Sequence, residues 1–213
     1  MNKIILNNLL PDVFKEEHIE SDIWQKDVQL NAGETYLVDS ISGKGKSTFC
    51  SYIFGYRNDY SGKLFYDNEE IKSFPLIAWD EIRTRKVSLL FQELRLFPEL
   101  TVLENILLKN NMTGFKDLQQ IKKMLQQLNI ENKIDVKIGK ISWGQQQRVA
   151  IIRALCQPYN FLILDEPISH LDDENAAIIA TLVSEEAHSQ GAGIITTSIG
   201  KHLPLNYTRT FAL

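Results

Sequence analysis

Residues 35–49 read TYLVDSISGKGKSTF, a short β-prone run, a loop of small residues and the opening of a helix. Thr35 to Val38 predict a strand that stops at Asp39 and Ser40. Gly43 and Gly45 let the following backbone curl so that successive N–H groups face one anion, and the helix start adds the positive end of its dipole. Lys46 can then reach the β- and γ-phosphates of a nucleotide, and the Ser47 hydroxyl can ligate Mg²⁺. The stretch Ser40, Ile41, Ser42, Gly43, Lys44, Gly45, Lys46, Ser47 and Thr48 therefore reads as a phosphate-binding loop. It departs from the usual pattern at Ser40, where a glycine is common.

A strand–loop–helix of this kind needs a parallel sheet around it, and two further apolar runs supply candidates. Phe161-Leu162-Ile163-Leu164, bounded by Asn160 and Asp165, and Gly193-Ile194-Ile195-Thr196-Thr197 have the continuous apolar character of strands buried on both faces. Between them Ala176, Ile179, Ala180, Val183 and Ala187 recur at helical spacing, which makes a βαβ unit. Residues 101–156 lack strong strand signals, and Leu118, Ile121, Leu125 and Leu128 mark a helix there. This region is expected to be a helical subdomain inserted into an α/β core. At 213 residues one domain spanning 1–213 is expected, with a last strand from Thr208 to Leu213 and no room beyond it for a regulatory domain.

The strand 161–164 ends in Asp165-Glu166-Pro167, two carboxylates where open α/β sheets bind their ligands. Asp165 is placed to hold Mg²⁺ through its water shell, and Glu166 to act as general base on a water beside the γ-phosphate.

Composition excludes other classes. With 23 basic and 27 acidic residues the net charge is −4, so no basic field exists to drive binding to nucleic acid. Cys50 and Cys156 lack metal-ligand spacing and read as buried reduced thiols. Neither a secretory signal nor a run approaching ~18 apolar residues is present, so a membrane role requires a partner.

The order of these motifs, together with Ile141-Ser142-Trp143-Gly144-Gln145 followed by Gln146-Gln147-Arg148-Val149-Ala150, resembles the ATP-binding cassette family nearly end to end. Its signature is Leu-Ser-Gly-Gly-Gln. The resemblance implies a P-loop NTPase (RecA-like) core with an antiparallel β subdomain and the inserted helical subdomain. It implies ATP with Mg²⁺, and two cassettes, identical or different, that sandwich two ATP molecules between the phosphate loop of one and Ser142, Gly144 and Gln145 of the other. Gln92 is similar to the family's glutamine that contacts Mg²⁺, Phe14 sits where an aromatic stacks on adenine, and Ser169-His170-Leu171-Asp172 resembles the loop that crosses the dimer interface. The segment 97–105 is similar to cassettes of the lipoprotein-releasing, macrolide-efflux and cell-division type.

The implied function is an ATPase subunit that powers an integral membrane permease from the cytoplasmic face, with the second cassette as its other partner. Two further readings stay open: a mechanotransmission ATPase that moves no solute, and an ATP-dependent scaffold with vestigial hydrolysis. Two positions depart from the family pattern. Trp143 replaces the first signature glycine and is expected to pack at an interface. Ser198 stands where a histidine contacts the γ-phosphate, so its hydroxyl is expected to take that role and hydrolysis to be slow.

Overall fold

The computed structural model describes residues 1–17, 19–41, 43–168 and 171–213; Ser42 of the phosphate loop and the Ser169–His170 pair fall outside the described residues. The chain begins with β1 (Lys3–Pro11), β2 (Asp27–Asn31) and β3 (Thr35–Asp39), then α1 (Lys46–Ile53). β4 (Tyr60–Tyr66), β5 (Glu69–Glu70), α2 (Leu76–Arg85) and β6 (Val87–Leu90) come after it. Three helices come next, α3 (Val102–Asn110), α4 (Leu118–Gln127) and α5 (Trp143–Leu155). The chain closes with β7 (Phe161–Asp165), α6 (Asp173–Gln190), β8 (Gly193–Ser198) and β9 (Arg209–Ala212).

The strands form two sheets. One has the order β6-β7-β8-β3-β9 with every neighbouring pair parallel. The other, β2-β1-β4-β5, is antiparallel throughout. The fold is thus α/β, as the apolar strand runs predict, with the added antiparallel sheet that the family resemblance implies. The register of β1 against β4 shifts between Asn7 and Leu10, opposite Gly62, where a Cβ would stand 2.3 Å from the Asn8 carbonyl oxygen. Only glycine fits this close approach, at φ +81°.

β7 explains why its sequence is apolar without alternation: all five residues are buried. Phe161 and Ile163 join the core formed with α1 and the antiparallel sheet, whereas Leu162 and Leu164 join the core formed with α3 to α6. Each such side chain contributes about 1.5–3 kcal/mol of burial. Residues 102–155 carry α3, α4 and α5, and the bridge Thr101 to Lys137 closes their entrance. α4 buries Ile121, Met124 and Leu125 on one stripe and turns its lysines and glutamines outward. α3, α4 and α5 each start with a reciprocal capping box, Thr101 with Glu104, Asp117 with Gln120 and Ser142 with Gln145. Cys50 and Cys156 are buried free thiols. Burial pushes the Cys50 thiol well above its ordinary value and that of Cys156 up to about 12.

Candidate functional site

β3, β6 and β7 end on the same side of the parallel sheet, and the loops that leave them build one site. After β3 the loop reaches α1 through Gly43 at φ +84° and Gly45 at φ +97°. Gly45 occupies the left-handed position at the helix start, closely backed by two aromatic rings. A Cβ there would lie 3.1 Å from Phe14 and 3.2 Å from Trp24. The Trp24 indole also donates to the Lys44 carbonyl at 3.3 Å.

Lys46 is the first residue of α1 and is buried. Its ammonium donates to the carbonyls of Ser40 (2.9 Å) and Ile41 (3.1 Å) and to the Ser40 hydroxyl (3.2 Å), which holds it across the loop. Glu166 Oε1 lies 3.9 Å from the same nitrogen. On its other side Glu166 accepts from Gln92 Nε2 at 3.1 Å, and Gln92 Oε1 accepts from the Ser47 hydroxyl at 3.3 Å. Ser47, Gln92, Glu166 and Lys46 therefore form one continuous polar chain across three strand ends. A cavity of about 350 Å³ opens over it, lined on the polar side by Gly43, Gly45, Ser47, Thr48, Gln92 and Glu166. Val13, Phe14 and Ile199 form its apolar wall.

Asp165 sits just below. Burial pushes its carboxyl above the ordinary range, opposed by hydrogen bonds from Thr197 and Ser47 and by the Lys46 charge. Burial also raises the Glu166 carboxyl, with Lys46 pulling the other way. Glu166 adopts φ +49°, a left-handed conformation that costs a non-glycine residue about 1–3 kcal/mol. Its N–H donates to Thr197 Oγ1 at 3.1 Å, and that hydroxyl donates to Asp165 Oδ1 at 2.7 Å.

Ser142, Gly144, Gln145 and Asp172 are not among the residues lining this cavity. Ser142 Oγ accepts from the Gln145 N–H (3.3 Å) and Gln145 Oε1 accepts from the Ser142 N–H (3.0 Å). Gln146 donates to the carbonyls of Ile138 and Ile141, and Gln147 is 1% exposed in the core. Trp143, first residue of α5, is 45% exposed. Asp172 caps α6 by accepting from the Asn175 N–H at 2.8 Å, a bond that lowers its carboxyl pKa. Ser198 is 2% exposed, and its hydroxyl donates to Asp39 Oδ1 at 2.8 Å, so this hydroxyl braces the root of the phosphate loop. Its neighbour Ile199 lines the cavity. Thr197, Asp39, Val13 and Ile199 escape a reading of the sequence. The one available signal was the run of three hydroxyl residues, Thr196 to Ser198, that ends a strand begun by glycine and two isoleucines.

A parallel sheet whose strand ends carry a glycine loop, a buried lysine and two adjacent carboxylates has the architecture of a P-loop NTPase cassette. The chain belongs to the ABC transporter family: a family model of that description matches residues 25–169. It is similar to the lipoprotein-releasing system ATP-binding protein LolD of Syntrophotalea carbinolica, 33% identical over 168 residues that cover 78% of this chain and 74% of that protein. LolD of Buchnera aphidicola is 31% identical over 190 residues, 86% of this chain and 82% of that one. Among solved structures, the ATP-binding cassette MJ0796, a dimer in a post-hydrolysis state bound to ADP and Pi, superposes with a TM-score of 0.75 at 27% identity. That match covers 92% of this chain and 87% of the other. ATPases of this family bind ATP and generally hydrolyse it. Among the described residues no helix is long and apolar enough to cross a membrane.

Proposed function

We propose that this chain is the ATP-binding and ATP-hydrolysing subunit of a membrane transporter, lying on the cytoplasmic face against an integral membrane permease and working as one of a pair of cassettes. The polar chain Ser47–Gln92–Glu166–Lys46 is the observation that carries this reading, because it gathers the groups needed to hold and cleave a γ-phosphate. Residues 40–48 surround the phosphates, Lys46 meets the β- and γ-oxygens, and Phe14 offers its ring to adenine beside Gly45. Ser47, Gln92 and Asp165 present only oxygen donors, which suits Mg²⁺. When bound, that ion neutralises charge on the β- and γ-phosphates.

Glu166 accepts a proton from the attacking water as oxygen adds to the γ-phosphorus and the bond to ADP breaks. Burial lifts its pKa toward the pH at which a base is useful. Ser142, Gly144, Gln145 and Asp172, which do not line this cavity, complete the ATP site of the second cassette, and the exposed Trp143 packs at that interface. The named LolD relatives and the dimeric MJ0796 structure support the pairing and the membrane partner. Ser198 must leave Asp39 to reach a γ-phosphate, which favours slow turnover and gives the scaffold reading its one specific support.

Glu166→Gln tests the proposal. Turnover is expected to fall at least ~100-fold while ATP drives the variant from monomer to dimer in light scattering. Unchanged turnover, or no ATP-dependent dimer, would overturn the reading; dimerisation in a wild type that never turns over would leave the scaffold.

A further inference from the structure

The last two residues of β8 each send a hydroxyl to a carboxylate at the end of a neighbouring strand. Ser198 donates to Asp39 on β3, and Thr197 donates to Asp165 on β7. Thr197 does more, because the same oxygen accepts the N–H of Glu166 at 3.1 Å. It is fully buried at 0% exposure and lies opposite Asp165 in the parallel register.

β7 leaves the sheet at Asp165, and the next two positions are hard to order. Glu166 takes φ +49°, and the residue before a proline, here Pro167, is biased toward extended backbone. The Glu166 N–H has also run beyond the strand ladder and needs an acceptor. Thr197 Oγ1 provides that acceptor and at the same time satisfies the buried Asp165 carboxylate.

We propose that Thr197 is a positioning residue for hydrolysis: its hydroxyl locks the left-handed turn that aims the Glu166 carboxylate between Lys46 and Gln92. The inference rests on Glu166 acting as the general base. Threonine is suited to the task since its γ-methyl is buried with the rest of the side chain while the hydroxyl bridges two partners.

Thr197→Val keeps the shape and removes the bridge, Thr197→Ser keeps the bridge, and Thr196→Val on the adjacent position of β8 is the matched control. In the purified full chain, amide hydrogen exchange at Glu166 is expected to speed at least ~10-fold in Thr197→Val. Its kcat is expected to fall ~10-fold or more, with the Kd for Mg²⁺–ATP held within about twofold. Thr197→Ser should restore both exchange protection and kcat, and Thr196→Val should disturb neither. Unchanged exchange and kcat in Thr197→Val, an equal loss in Thr196→Val, or no recovery in Thr197→Ser would each overturn the proposal. Should Thr197→Val fail to fold, Thr197→Cys, a weak hydrogen bonder close to serine in size, is compared with Thr197→Ser by the same criteria. Glu166→Gln separates the two layers: normal turnover there removes the general base itself, whereas a dead Glu166→Gln beside an unaffected Thr197→Val removes the positioning role alone.

Discussion

Gly45 is left-handed, and a side chain there would run into both Phe14 and Trp24. Gly45→Ala is expected to strain this turn by about 1–2 kcal/mol and to weaken Mg²⁺–ATP binding at least ~10-fold, read by calorimetry. The buried acids respond to pH in a defined sense. Because burial raises the Asp165 carboxyl above its ordinary 3.8, the folded chain holds that proton more tightly than the unfolded chain. Between the ordinary and the raised value the contribution of Asp165 to stability therefore falls as pH rises, and at neutral pH its charge opposes folding. Asp165→Asn is expected to raise the melting temperature at neutral pH while abolishing Mg²⁺-dependent turnover. The raised Glu166 carboxyl likewise predicts that kcat declines on acidification at a higher pH than an ordinary glutamate would give. Lys46, Ser47, Asp165 and Glu166 were legible because each lies in a contiguous run whose residue types state the chemistry. Thr197 and Asp39 were not, since their roles arise from strand register between residues far apart in the sequence, Asp165 with Thr197 and Asp39 with Ser198.

At the scale of elements, the start of α5 divides its polar groups among distinct tasks. Ser142 and Gln145 cap the helix, Gln146 ties down the preceding turn and Gln147 enters the core. Ser142→Ala and Thr101→Ala each remove one capping hydroxyl, and each is expected to cost about 1 kcal/mol, or roughly 2–4 °C in melting temperature. Only Ser142→Ala should also weaken ATP-driven dimerisation; equal dimerisation by both variants would make the α5 cap purely structural. The helices α4 and α6 were readable because their apolar residues keep a helical period. β1 and β4 were not, because Asn7 and Asn8 sit at a bulge and Ser61, Gly62 and Lys63 are exposed, so neither strand shows clean alternation.

Across the whole molecule, β7 is shared by both cores, with Ile163 facing one and Leu162 the other. Ile163→Ala is expected to cost about 2–5 kcal/mol. Because the strand is common to both cores, the loss should lower a single unfolding transition followed by helix circular dichroism and by aromatic fluorescence alike; two separated transitions would mean that residues 101–156 melt as a unit of their own. The apolar run of β7 announced a doubly covered strand in advance, but the partition of its faces between two cores emerged only from packing. The thiols of Cys50 and Cys156 are enclosed and held protonated at neutral pH, so neither presents a reactive thiolate to alkylating reagents. A cysteine introduced at position 143 would accordingly take a spin label alone, without first stripping the native cysteines. The separation of two such labels then becomes a ruler for how closely the α5 ends of paired chains approach as ATP is added.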